Sequence, residues 1–491
     1  MRLLLVALSA ASAARTGFQN REKYAAFDTE RAVALTGGAM LRVGAPRHAR
    51  VVLGETEPWE ASIGQGAPSL LHDRKKRKWR LWYEGCAKTA ADALGDCAKR
   101  YLLHAESDDG VAWTKLALFL NAWPAGSRDR ANNVVLAAEG LRVFEDHSRQ
   151  EPRPRRFKAF GSSALDAGDA KPVAGGALSS ADGLRFARAA GGRVPAYARS
   201  AFWDVAKRSY VAYAEQPVSG NATVVRYEAN VWSGPYTSKP LMDAPAVVVP
   251  YYSAYVGIVR NAHTCSFAWS SDGIRWTPLE DKAKTVPIER DCATPLDPVQ
   301  DPRSGELRLY AFDGAKNASL TLYRFHADGF AGLRSSTQAL ITSHVLPCKG
   351  RLPVVTASIT GSLRVAVYDE DGNAIRGRGL EESLPMLLDA VDEEVVWKSA
   401  HFAKIPDRCV LTFEVKDATL FSFGWTRGPR DRPLKRVYRE RRHVAKAEGR
   451  GLLRLFASLA LTTAACVAAR VLALRLCACL RRNEVKRSES V

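Results

Sequence analysis

The sequence predicts an all-β protein: a five-bladed β-propeller followed by a small β-sandwich, with a C-terminal transmembrane helix beyond them. Three observations predict it. Two short repeats interleave through the first 340 residues, an alternating pattern of different character begins near residue 345, and an uncharged apolar run stands close to the end of the 491-residue chain.

The first repeat is a small or polar stretch, Asp-Gly, then an aromatic or apolar pair. It reads AESDDGVAWTKL (105–116), LSSADGLRFARA (178–189), AWSSDGIRWTPL (268–279) and RFHADGFAGLRS (324–335). Asp109-Gly110, Asp182-Gly183, Asp272-Gly273 and Asp328-Gly329 are hairpin signals, because glycine accepts a positive φ without steric cost. The second repeat runs apolar residues into an aspartate, a polar turn, then alternating aromatic and apolar residues. It covers 69–85, 142–161, 201–215 and 298–314, with Asp73, Asp146, Asp204 and Asp301 at the turns. That is strand, hairpin, strand. A degenerate copy at 247–259 makes the count five, and repeats of this size read as propeller blades over residues 50–340.

Residues 345–426 alternate differently. TGSLRVAVYDEDGNAIRG (360–377) turns at Asp371-Gly372, and RCVLTFEVKDATLFSFGW (408–425) follows, with Leu411, Phe413, Val415, Leu420 and Phe423 as core positions. This is a small β-sandwich pattern. Residues 427–451 are a basic stalk, 452–474 the transmembrane helix and 475–491 a cytoplasmic tail. The helix is centred on Leu455–Ala469, which carries no charge; the flanking Arg454 and Arg470 snorkel.

Residues 1–14 read as a signal peptide: Arg2, then the apolar Leu3–Leu8, then Ala11-Ser12-Ala13 as a small-residue cleavage site. The expected topology is a single-pass type I membrane protein of the secretory pathway or cell surface, its ectodomain lumenal or extracellular. Net charge is +19, and +12 of it flanks the apolar segment, in 427–454 and 470–491. Such charge suits anionic head groups, and nothing in the chain resembles a nucleic-acid module. Six cysteines precede the span: Cys86, Cys97, Cys265, Cys292, Cys348 and Cys409. An even number suggests three disulfides; sequence neighbours suggest 86–97, 265–292 and 348–409 among fifteen connectivities. Asn221 and Asn317 head glycosylation sequons. No cysteine or histidine spacing resembles a zinc site.

The serial order of TEPWEASIGQGAPSLLHD, WRLWYEG, YLLHAESDDGVAWTK, the Asn132-Asn133 pair, RRFKAFGS, SAFWDVAKRSYVAY and AWSSDGIRWTPL resembles a group of secreted five-bladed propellers. These are related to glycoside hydrolase families 32 and 43 and carry a C-terminal β-sandwich. The resemblance covers about residues 50–425. It implies a protein that cleaves glycosidic bonds of a glycan or polysaccharide with a carboxylate pair, and the membrane anchor is an addition to the group's pattern. Such a pair stands about 5–5.5 Å apart for retention or roughly 6.5–9.5 Å for inversion. It implies no organic cofactor, although related propellers sometimes hold a Ca²⁺ in the central channel. Glu60 in PWEAS, Asp73, Asp146 and Asp204 are the catalytic candidates, and Glu84 in WYEG is an inner-strand alternative. Asn132, Asn133, Arg156 and Trp203 are candidates for lining the pocket, Trp203 as a stacking face for a sugar ring.

Two departures from the group bear on function. YVAY is followed by Ala214-Glu215 where many relatives carry Arg, and the blade-4 repeat has Ser271 where an Arg is common. They favour an ectodomain that binds carbohydrate without turnover, while the retained Glu60, Asp73 and Asp146 favour the hydrolase; a protein-binding propeller receptor is a third reading.

Overall fold

The computed structural model describes residues 18, 22–60, 62–86, 100–122, 128–148, 155–164, 173–189, 195, 198–218, 221–241, 245–314, 318–398 and 403–426. Strands dominate, and every pairing between them is antiparallel.

Five blades follow one another. Blade 1 is Ser69–Asp73, Lys78–Cys86, Arg100–Ser107 and Trp113–Thr114; blade 2 is Val134–Glu145, Phe157–Ala164, Val173–Ser180 and Ala187–Arg188. Blade 3 is Ala198–Asp204, Ser209–Val218, Asn221–Ala229 and Thr237–Leu241. The degenerate copy at 247–259 forms the first two strands of blade 4, Val247–Tyr251 and Ala254–Asn261, followed by Thr264–Ser270 and Thr277–Pro278. In blade 5 the inner position is shared by Thr294–Pro295 and Val299–Gln300, followed by Leu307–Phe312 and Ser319–Phe325. Its outer strand is His48–Gly54, from before blade 1, paired with Ser319–Phe325 and closing the ring. The inner strands of all five blades wall one axial cavity. Every blade is covered on both faces, so its strands bury both sides. In Lys78–Cys86, Trp79, Leu81 and Tyr83 pack with Tyr310 and Phe312 of blade 5, while Trp82 packs with Phe157 of blade 2.

The first three Asp-Gly repeats are connections of five or six residues between third and fourth strands, not two-residue hairpins, and they latch blades 1, 2 and 4 each to the one before it. Gly110 O accepts the Tyr310 hydroxyl at 2.8 Å, Gly183 O accepts Trp82 Nε1 at 2.8 Å, and Gly273 O accepts the Tyr213 hydroxyl at 2.8 Å. The three glycines share a φ of 75°. A Cβ at Gly110 would stand 2.6 Å from that hydroxyl, and at Gly273 2.3 Å from Arg226. Blade 3 lacks the repeat and uses Trp232 instead, its ring centred 4.3 Å from that of Phe160 of blade 2 and tilted by 33°.

The second domain hydrogen-bonds nine strands into one sheet. Pro353–Asp369 and Arg408–Trp425 pair along their length, bending where the register shifts at Thr356/Ala357 and Ile359/Ser362. Three strands come from before the propeller: Lys23–Ala25, Val33–Leu35 and Met40–Val43. Ala331–Ser335 and Ala339–Ser343, inside the range expected for the propeller, also belong here, because they pair with Arg408–Trp425. Leu411, Phe413, Val415, Leu420 and Phe423 lie in its core.

The fourth Asp-Gly repeat joins the two domains. Asp328 is fully buried and accepts Lys23, Ser422 and the Tyr252 hydroxyl; Lys23 also pairs with Asp392 at 2.6 Å. Disulfides join Cys265 to Cys292 and Cys348 to Cys409; Cys86 is disulfide-bonded, and Cys97 lies outside the described residues. Asn221 opens the third strand of blade 3, and Asn317 lies outside the described residues. So do the signal-peptide and 452–474 segments; among the described residues no helix is long and apolar enough to cross a membrane.

Asp328→Ala strands a buried ammonium beside Asp392 alone. The expected loss is about 3 kcal/mol, at the low end for breaking a buried ion pair, measured by urea denaturation of the full-length protein.

Candidate functional site

The aspartates of the second repeat sit in the turns that follow the inner strands. Asp73 accepts the backbone N–H groups of Lys75 (3.0 Å) and Lys76 (3.2 Å) and Arg156 Nη2 of blade 2 (2.6 Å). Burial pushes its carboxyl up, but the Lys76 amide and the Arg156 guanidinium outweigh it and hold the pKa below the ordinary value. Asp146 accepts the Ser148 N–H and the Tyr210 hydroxyl of blade 3, each at 2.8 Å, and burial raises its pKa. Asp204 accepts the N–H groups of Ala206 (2.7 Å) and Lys207 (3.0 Å) and the Tyr255 hydroxyl of blade 4. Each of the three thus shapes its own turn and ties it to the next blade.

Glu60 is fully buried. One oxygen accepts the Tyr83 hydroxyl at 2.6 Å; the other accepts Lys115 Nζ at 2.5 Å and the N–H groups of Thr56 and Glu57. The Tyr83 hydroxyl also accepts Asn133 Nδ2 at 3.0 Å, and Trp59 Nε1 donates to Asn133 Oδ1 at 2.6 Å. Glu60 and Asn133 are therefore brought together through Tyr83. Asp73 and Arg156 are brought together directly. Asn132 braces its own loop, donating to Asn121 O and accepting the Val134 N–H. Trp203 lines the axial cavity with its ring edge-on to Tyr210. The partners of Glu60 belong to blade 1 and the loops around it, while those of Asp73, Asp146 and Asp204 belong to successive blade interfaces, and none of the four is among the residues lining the axial cavity.

Other charged groups lie on the axis, level with the start of the inner strands. Arg142 of blade 2 donates to Pro68 O of blade 1 and pairs with Asp297 of blade 5. Arg199 of blade 3 donates to Gly66 O of blade 1 and pairs with Glu215 at 2.9 Å. Glu84 lies beneath Gly66, where a Cβ would meet its carboxyl at 2.3 Å, and accepts the Leu141 N–H at 3.1 Å. Burial raises its pKa to about 7, against Arg100 and the amides of Leu141, Gly140 and Ala67. Among the described residues, Glu84 Oε2, Arg142 Nε and Asp297 Oδ1 are buried without a hydrogen-bond partner. Buried polar atoms are ordinarily satisfied, so such a group calls for an explanation, and a polar ligand is one. Asp297 also lines the axial cavity of about 250 Å³, with Trp203, Phe202, His72 and Glu145.

Of these axial groups only Glu84 was a sequence candidate. Arg142 in GLRVF and Asp297 in PLDPV are lone charges in apolar β text, a signal of burial but not of position. Among the described residues no group of three His, Cys, Asp or Glu is placed to hold a metal ion.

No family model matches the chain, and no curated protein matches it. Solved structures do resemble it. The fructofuranosidase from Schwanniomyces occidentalis, complexed with fructose, is 8% identical with a TM-score of 0.37, over 80% of this chain and 99% of that one. A family 117 glycoside hydrolase produced by the marine bacterium Zobellia galactanivorans is 11% identical with a TM-score of 0.36, over 62% and 85%. An endo-arabinase from Bacteroides thetaiotaomicron is 12% identical with a TM-score of 0.35, over 55% and 97%. At these scores the likeness adds nothing to the fold that the sheet order itself defines.

Glu84 yields a pH signature. Its folded pKa of about 7 lies above the ordinary value of 4.5, so the folded chain holds the extra proton between those values. The stability it contributes is complete below about pH 4.5 and is lost as pH rises through 7, on the order of 3 kcal/mol. Glu84→Gln should flatten that part of the stability profile, as read from urea midpoints at about pH 5, 6, 7 and 8.

Proposed function

We propose that this protein is a glycan-binding propeller that takes its ligand on the axis and holds it without cleavage. The pairing of the axial carboxylates carries the reading: Asp297 is matched by Arg142 and Glu215 by Arg199. A hydrolase needs one carboxyl to protonate the leaving oxygen and a second, unencumbered, to attack or to activate water. Arginine pairs instead present fixed donors and acceptors, the equipment of a binding site with an aromatic wall. The resemblance of residues 50–425 to glycosidase propellers directs the choice of ligand class.

Hydrolysis is the second reading, favoured by Glu84. A carboxyl with a pKa of about 7 is still half protonated at neutral pH, as a general acid must be. The second carboxylate would then be Glu215, once released from Arg199. Asp73, Asp146 and Asp204 tie neighbouring blades in either case, while Glu60 braces blade 1.

The apolar segment 452–474 anchors the chain, and its ectodomain faces an oxidising compartment in this proposal. The two disulfides described support that side of the membrane.

A glycan array and a reducing-sugar assay on the full-length protein test both readings. Binding without product, weakened about tenfold or more by Arg199→Ala, is the expected result. Product release that Glu84→Gln and Glu215→Gln each abolish would replace it with hydrolysis. Failure to bind any glycan would end both.

A further inference from the structure

Among the described residues, the turns that follow the inner strands leave the propeller at one end of the axis. They surround the mouth of the axial cavity, which Arg74, His147 and Pro302 of three different blades help to line. The blade-1 turn is Arg74-Lys75-Lys76-Arg77, exposed throughout. The blade-3 turn exposes Lys207 and Arg208, and the blade-5 turn exposes Arg303. Across 74–77, 205–208 and 302–304 there are seven cations and no carboxylate.

The acids nearest to them are already engaged. Asp73, Asp204 and Asp301 accept the amides of these same turns. Asp182 and Asp272, on the outer loops of that end, are held by their own loop amides and by Arg185 and Arg275. Glu106 lies 3.8 Å from Lys76. Lys76 pairs with Glu106 and Lys207 donates to Asp272 O, while Lys75, Arg77, Arg208 and Arg303 are exposed around the mouth.

Backbone geometry adds an independent observation. The three turns share one conformation, with a left-handed residue in the fourth place after the aspartate: φ is 54° at Arg77, 53° at Arg208 and 73° at Gly305. Glycine holds that place without strain in blade 5, while blades 1 and 3 place arginine there. Strain held at an exposed position points to a use for the side chain.

We infer that this face binds a polyanionic polysaccharide, one bearing sulfate or carboxylate groups, with a sugar unit in the axial mouth and its neighbours on the cationic turns. An anionic bilayer would meet the same charges, but a flat surface cannot fill a cavity walled by Phe202 and Trp203. That cavity has room for roughly one sugar ring, and aromatic faces suit one. The inference deepens the axial glycan reading and rests on it for the chemical class of the ligand.

The test is binding of the full-length protein to immobilised dextran sulfate, to neutral dextran and to phosphatidylserine vesicles, at about 0.15 M salt and above. Dextran sulfate should bind and weaken steeply with salt. Lys75→Glu with Arg77→Glu and Arg208→Glu should cost about tenfold or more. Arg77→Gly with Arg208→Gly removes charge while relieving the left-handed backbone, so it should weaken binding with a urea midpoint no lower than that of the wild type. Arg436, Arg439, Arg441 and Arg442→Gln in the basic stalk should leave the affinity alone. Wild-type affinity in the turn variants, or loss only in the stalk variant, would overturn the inference, as would binding to the vesicles alone. Array binding with no preference for sulfated or uronate chains would overturn it while leaving the axial glycan reading intact.

Discussion

The pairing of His48–Gly54 with Ser319–Phe325 is the contact on which the rest depends, because it turns a row of sheets into a ring. Without it, blade 5 would keep an open edge of unpaired N–H and C=O groups, and the five inner strands would have no fixed axis. The same crossing decides where the amino-terminal segment goes. Having closed the propeller, the chain before residue 48 has its own strands in the second domain, and Lys23 meets Asp328 there. One closure therefore sets both the ring and the junction between domains.

Within the ring, polar groups supply the register that apolar packing cannot specify. Apolar contact between blades is non-directional, so it resists separation but not sliding. The latches from Gly110, Gly183 and Gly273, and the ties from Asp73, Asp146 and Asp204, give each interface a fixed register. Buried cations take part: Arg80 lies over the rings of Trp82 and Phe157, and Arg226 donates to Gly273 O. Each such group is costly to bury alone, which disfavours a slipped blade.

The two ends of the axis differ chemically. Level with the start of the inner strands, carboxylates and arginines are paired one to one, and a few of their polar atoms keep bonding capacity for a ligand. At the other end the turns carry cations in excess, around a mouth with aromatic walls. The first arrangement suits neutral hydroxyl groups and the second suits anionic ones. A long glycan has both kinds of partner available along one protein.

Much of this architecture was legible in the sequence because it is local. Alternation of apolar and polar residues is written at a spacing of two, and Asp-Gly marks its turn wherever it occurs, so the blade repeats and the core positions Leu411 to Phe423 could be read directly. The gap between the second and third Asp-Gly copies even contains the blade that uses Trp232 instead. The site was not legible in that way. The partners of Asp73, Asp146 and Asp204 could not be read from the sequence, because Arg156, Tyr210 and Tyr255 belong to the following blade. Arg142 and Asp297 lie 155 positions apart and meet only because the ring closes. The single folded sheet of the second domain also needed distant strands that no local pattern assigns to it. Periodicities, turns and charges are local properties of the chain and could be read from it; which charges become neighbours was decided by the closure of the ring, because contact across an axis depends on the path of the whole chain.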